Sequence, residues 1–126
     1  MYDKLKILYI EDSENDAVLM TLHLKGICKN IYYKRVESKI ELTKALKKEK
    51  WDIIIIDGSL PTMTAIDAIN LIKKKGVDTS IICVSGSEMF DIKDQCLNAG
   101  AEAFVLKDNA DEFVKVVEKI LQKSFG

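Results

Sequence analysis

The chain has 126 residues, 48% hydrophobic and 31% charged, with 19 basic and 20 acidic side chains and a formal net charge of −1. That is the size of one ordinary domain with material for a core, and the near-neutral balance argues against a global basic field for nucleic acid. Three cysteines with no CxxC spacing (Cys28, Cys83 and Cys96) point to neither a disulfide framework nor a zinc site, and no apolar run approaches the ~18 residues a membrane span needs.

The opening MYDKLKILYIED reaches an acidic pair too soon for a signal peptide, so a cytoplasmic chain is expected. KILYI, residues 6–10, predicts a first strand. Apolar positions 17, 20, 24 and 27 follow as a helical stripe, opened by Ser13 with Asp16 three residues on. His23 falls in that helix and is expected at the surface, away from the strand ends. Residues 31–36 predict a second strand. Ser38 and Glu41 form a capping-box pair before a short helix whose Leu42, Ala45 and Leu46 face inward.

Trp51 is expected to anchor the third strand, Ile53–Ile56, whose four β-branched residues predict burial on both faces. Pro61 reads as a turn former. Ala65, Ala68, Ile69 and Ile72 make the next stripe, ended by Gly76; lysines 44, 47, 48 and 73–75 cluster near helix C-termini, where they suit the helix dipole. Residues 80–84, SIICV, predict a fourth strand. Met89, Ile92, Cys96 and Ala99 form a helix ended by Gly100. Ala103–Leu106 is the fifth strand, and Phe113, Val116, Val117, Ile120 and Leu121 give the cleanest helical stripe. Five strand–helix units with short connections predict a single domain over 1–126, a (βα)5 doubly wound parallel sheet with helices on both faces. The expected strand order is 2-1-3-4-5, in a three-layer sandwich of flavodoxin type.

In such a sheet ligands bind beyond the carboxyl ends of the strands where the order reverses, here between strands 1 and 3. Strand 1 runs into Glu11-Asp12 and strand 3 into Asp57. Two such charges ~4 Å apart repel by ~4 kcal/mol at an effective dielectric of about 20. A hard divalent cation relieves that repulsion, and a site of carboxylates, a carbonyl and waters suits Mg2+. Ser85 follows strand 4 and Lys107 follows strand 5. A hydroxyl and an ammonium at that rim can both hold a phosphoryl oxygen.

With Glu11-Asp12, Asp57-Gly-Ser-Leu-Pro61, Ser85 and Phe104-Val-Leu-Lys107 in register, the chain from Lys6 to about Lys123 resembles a response-regulator receiver domain, the CheY-like module of two-component signalling. The resemblance implies that Asp57 is the phosphoacceptor. It implies that Glu11, Asp12, Asp57 and the backbone carbonyl of Ser59 hold Mg2+, Glu11 through water. Lys107 is then the lysine that pairs with the phosphoryl oxygens, Ser85 the hydroxyl that turns toward them, and Phe104 the aromatic that moves with it. It further implies a phosphoryl donor, either a histidine kinase or a histidine phosphotransfer protein. The face of the fourth helix, fifth strand and fifth helix would change shape on phosphorylation, toward a downstream effector, an output domain or a phosphorylation-dependent homodimer. Neither direct nucleic-acid binding nor membrane insertion is expected.

Four positions depart from the family's usual pattern. Asp108 stands where Pro usually follows the lysine, so a trans peptide is expected, with a negative charge that competes with phosphate for Lys107. Ala65 replaces a frequent Gly, which disfavours positive φ there. Gly86 replaces a frequent Ala, leaving Asp57 more open to water. Glu11 replaces the commoner Asp and keeps the charge.

The main function expected is a signalling switch rather than a turnover enzyme. The alternative is a degenerate receiver, a binding module of the same fold that is never phosphorylated. A phosphatase of haloacid-dehalogenase type would want an acid two residues after the nucleophile, where this chain has Ser59. A flavodoxin-like cofactor binder would want a Gly-rich phosphate loop, where this chain has the acidic EDSEND. With the sequence ending soon after the fifth helix, a stand-alone receiver and a piece of a longer regulator or hybrid kinase are both open.

Overall fold

A computed structural model describes residues 2–60, 63–86 and 90–125, the side chains of residues 90, 91 and 125 excepted. Pro61 and Met89 lie outside the described residues. The order is β1 (Tyr2–Ile10), α1 (Glu14–His23), a 3-10 turn (Leu24–Gly26), β2 (Cys28–Val36), α2 (Lys39–Lys48), β3 (Ile53–Asp57), α3 (Ala65–Lys74), β4 (Ser80–Ser85), α4 (Phe90–Ala99), β5 (Ala103–Leu106) and α5 (Ala110–Phe125). The five strands pair in parallel in the order β2-β1-β3-β4-β5, as expected.

The isoleucine run of β3 explains the layering. Side chains alternate across a strand, so Ile54 and Ile56 join one core with Leu42, Ala68, Ile69 and Cys96. Ile53 and Ile55 join the other with Ala17, Leu24, Phe113 and Val117. Helices α2, α3 and α4 thus cover one face, and α1 and α5 the other. A strand covered on both sides leaves no position for a polar residue until it ends, and Asp57 is where it ends.

The strand edges differ from expectation at two places. β1 begins at Tyr2 and β2 at Cys28, both earlier than the apolar runs suggest. The two pair from Tyr2↔Cys28 to Ile10↔Val36. β2 is an edge strand, so exposed polar residues such as Lys29 and Asn30 can lie in it without breaking the ladder. In α1 the α-helical hydrogen bonding stops at His23, and the stripe residue Leu24 is buried from the 3-10 turn instead.

Helix starts follow local chemistry. Ser13 accepts from the Asp16 N–H, Ser38 from that of Glu41, and Thr64 from that of Asp67. At α5 the cap is Asn109, which accepts from the Glu112 N–H while its amide donates back to the Glu112 carboxylate. Gly76 and Gly100 sit past α3 and α4 with φ of 75° and 125°. A Cβ at Gly100 would also lie 2.8 Å from Lys73 Cε, so both stops need glycine. Ala65 begins α3, and no non-glycine residue among those described has positive φ. The Lys107–Asp108 peptide is trans.

The buried polar groups of the core are paired. Tyr9 shares a 2.7 Å hydrogen bond with Thr21, whose hydroxyl donates to the Ala17 carbonyl. Burial pushes the Tyr9 phenol well up, so it stays neutral. Trp51 does anchor the entry to β3, its indole donating to the Ala45 carbonyl at 3.0 Å, with its ring stacked on Tyr32.

Candidate functional site

The carboxyl ends of β1, β3, β4 and β5 bring the sequence candidates to one edge. Asp57 closes β3 and is 4% exposed. Glu11 follows β1 and is 1% exposed, while its neighbour Asp12 is exposed. Glu11, Asp12 and Asp57 each offer a carboxylate oxygen within 4.8 Å of the others. The register Asp57↔Val84 and a 2.8 Å bond from the Gly58 N–H to the Val84 carbonyl place β4 alongside. Ser85 is fully buried at its end, and its carbonyl accepts from the Lys107 N–H at 2.8 Å.

Lys107 reaches from β5 across two strands to the acids. Its ammonium is 2.6 Å from Glu11 Oε1, 2.7 Å from Asp16 Oδ2 and 3.4 Å from Asp57 Oδ2. Burial works against the charged lysine, but the Asp16 and Glu11 carboxylates outweigh it, with Asp57 adding to them, and hold the ammonium firmly protonated. Asp108 is exposed, and the competing charge expected from it is supplied by Asp16.

Two donors orient the carboxylates. The Ser59 N–H donates to Asp57 Oδ1 at 2.9 Å, and the Ser13 N–H to Glu11 Oε2 at 3.1 Å. Glu11 Oε1 is buried with no well-angled hydrogen bond; what faces it is the Lys107 ammonium. Burial pushes the Glu11 carboxyl up to about 7. The Lys107 ammonium and the Ser13 amide pull the other way, and the adjacent Asp57 reinforces the rise. Three acids whose carboxylate oxygens lie within 4.8 Å of one another fit a hard cation taking oxygen ligands.

Phe104 is half-buried on β5, packed against the core shared by α2, α3 and α4. Gly86 is exposed, and among the described residues nothing lies within 4 Å of where a Cβ would project. His23 is half-buried rather than on the surface, and it lines a small cavity with Met20, Val84, Leu106, Lys107 and Phe113. Through that cavity it lies beside Leu106 and Lys107, nearer the strand ends than the sequence suggests.

Two contributors escaped the sequence reading. Asp16 appeared there only as the partner of the Ser13 cap, yet its side chain meets Lys107. Arg35, near the end of β2, donates from Nη1 to the carbonyls of Glu11 and Asp12 at 3.2 and 3.5 Å and to the Glu37 carboxylate at 2.7 Å. It ties down the backbone that carries both acids. An arginine late in an edge strand beside an acidic loop was the one available signal.

Residues 7–118 match the model of the response regulator receiver domain. The chain is 28% identical over 124 residues to the cell cycle transcriptional regulator CtrA of Caulobacter vibrioides, covering 97% of this chain and 52% of that protein. It is 29% identical to the cell cycle response regulator CtrA of Brucella abortus, with the same coverage. The chain thus spans about half the length of these curated relatives. Among solved structures, the signal receiver domain of a putative Luxo repressor protein from Vibrio parahaemolyticus superposes with a TM-score of 0.81 at 27% identity, over 95% of this chain and 92% of that one. The receiver domain of a Pseudomonas aeruginosa sensor histidine kinase shares the fold, with a TM-score of 0.76 at 18% identity over 94% of this chain and 98% of that one; that structure has magnesium coordinated in its active-site cleft.

Proposed function

The chain belongs to the response regulator receiver domain family of two-component signalling, and we propose that it is a phosphoaccepting switch whose Asp57 takes a phosphoryl group from a histidine kinase or histidine phosphotransfer protein. One observation carries the reading. A 4%-exposed aspartate ends a strand buried on both faces, with two further carboxylates and a lysine ammonium turned toward it. Such an arrangement costs stability and is accounted for by chemistry at Asp57.

Asp57 is the nucleophile. Its Oδ1 is engaged by the Ser59 N–H, which leaves Oδ2, on the Lys107 side, to attack phosphorus. The new O–P bond forms as the P–N bond of the phosphohistidine breaks, and the departing imidazole nitrogen keeps the electron pair and takes a proton. Asp12, Asp57 and the Ser59 carbonyl, with Glu11 through water, would hold Mg2+, which would supply positive charge against the transferring group. Lys107 supplies positive charge beside Asp57 Oδ2. The acyl phosphate then adds about one negative charge and new acceptor oxygens. Ser85 and Lys107 follow those oxygens, Phe104 repacks, and the population shifts toward a second arrangement of α4, β5 and α5. That face meets the effector, an output domain or a second copy of the chain. The domain acts in the cytoplasm as a switch, not as a turnover enzyme, and occupies 1–126 as one unit.

The test is intact mass after incubation with acetyl phosphate, with and without Mg2+, beside Asp57→Ala. One labile phosphoryl group that needs both Asp57 and Mg2+ supports the reading. No adduct, with fluoroberyllate also failing to bind, favours the degenerate binding module.

A further inference from the structure

The position of Lys107 is not the one its role at Asp57 would select. Its ammonium has three protons to give, and three carboxylates face it. The carboxylate of Asp57, where a phosphoryl group would be attached, is the farthest of them, at 3.4 Å, against 2.7 Å for Asp16 and 2.6 Å for Glu11. Glu11 and Asp57 belong to the three-acid cluster that fits a cation; Asp16 does not.

We propose that Asp16 is a positioning residue that holds Lys107 back toward α1, away from Asp57, and so weakens the hold of the site on a phosphoryl group. The proposal rests on the receiver reading above. Asp16 is suited to the task by its place in the fold. Its backbone N–H is fixed by the Ser13 cap, so the carboxylate stands on the first turn of a helix rather than on a loop. Its side chain is 42% exposed, whereas those of Glu11 and Asp57 are 1% and 5% exposed.

That difference decides which contact gives way. A lysine that turns to phosphoryl oxygens must surrender a partner. Leaving Glu11 would strand a buried carboxylate wherever no cation took the place of the ammonium, which is costly. Leaving Asp16 returns a half-exposed carboxylate to water, which costs little. Asp16 is thus the releasable contact, and its attraction for Lys107 is what an incoming phosphoryl group must overcome.

The test compares the dissociation constant of fluoroberyllate at saturating Mg2+ for the unchanged chain, Asp16→Asn and Asp16→Glu. Asp16→Asn keeps the shape and removes the charge, and its thermal midpoint reports any loss of fold. The expected result is tighter binding to Asp16→Asn, by about two- to fivefold as suits a partly exposed ion pair. The difference should shrink at high salt, and Asp16→Glu should behave like the unchanged chain. A purely structural role would show neither the salt dependence nor the rescue. Equal or weaker binding to a folded Asp16→Asn overturns the proposal while leaving the receiver reading intact. Failure of the unchanged chain to bind fluoroberyllate removes the receiver reading and this proposal together.

Discussion

Lys107 Nζ lies 2.6 Å from Glu11 Oε1, joining the ends of two strands that are separated in the sheet by β3 and β4. The glutamate is 1% exposed and the lysine side chain 20% exposed. The pair therefore does more than tether two loops. Without the lysine, Glu11 and Asp57 would face one another as buried acids with no cation between them.

The first prediction follows from that pair. Lys107→Met should destabilise the metal-free protein by about 3 kcal/mol, the scale expected when one partner of a buried ion pair is removed. Added Mg2+ should recover part of the loss, because the cation supplies the missing positive charge. Urea denaturation of both chains with and without Mg2+ measures this. Equal stability of the two metal-free chains would mean that Lys107 is not neutralising the acids.

Gly86 concerns the lifetime of the phosphorylated state. Among the described residues a Cβ at this position meets nothing within 4 Å, so Gly86→Ala should fold as the unchanged chain does. The added methyl narrows the approach of water to Asp57, and the aspartyl phosphate should decay more slowly. Loss of the phosphoryl group is followed by intact mass over time. Faster decay in Gly86→Ala would contradict the expectation.

A pH effect is expected at the opposite end of the sheet. Glu49 accepts from Lys6 Nζ at 2.8 Å and from Tyr32 at 3.1 Å. The lysine contact, foremost, holds its carboxyl below the usual range. A carboxyl depressed in the folded state contributes stability above its unfolded value of about 4.3 and loses it as pH falls through the folded value. Glu49→Gln should therefore lower the denaturation midpoint at neutral pH, and the gap between the two chains should close in acid. A gap that persists unchanged in acid would assign the effect to something other than this charge.

Much of this molecule could be read before any coordinates. The four isoleucines of β3 announced a strand covered on both faces, and the acid that ended the run marked the site. Ser13, Ser38, Gly76 and Gly100 marked helix ends because capping is local chemistry. What the sequence hid depended on contacts between distant segments. Lys29 and Asn30 masked the true length of β2, because an edge strand tolerates polar residues that periodicity counts against it. Asp16 looked fully explained by its place at the third position of a capped helix, and nothing local reports that a lysine 91 residues away reaches it. The same blindness put the competing charge at Asp108, the neighbour in sequence, whereas the charge that meets Lys107 comes from α1. Arg35 was passed over for a like reason: its partners are the backbone carbonyls of another strand's end.

The central claim is that the phosphoryl group is carried by Asp57, and the most direct measurement locates it. The chain is phosphorylated with acetyl phosphate and Mg2+, reduced with borohydride to convert the acyl phosphate to an alcohol, digested, and mapped by mass spectrometry. The account predicts homoserine at position 57 and unmodified carboxylates at Glu11, Asp12 and Asp16. A reduced residue at any of those three, or an unmodified Asp57 in protein that has demonstrably taken up a phosphoryl group, would contradict it.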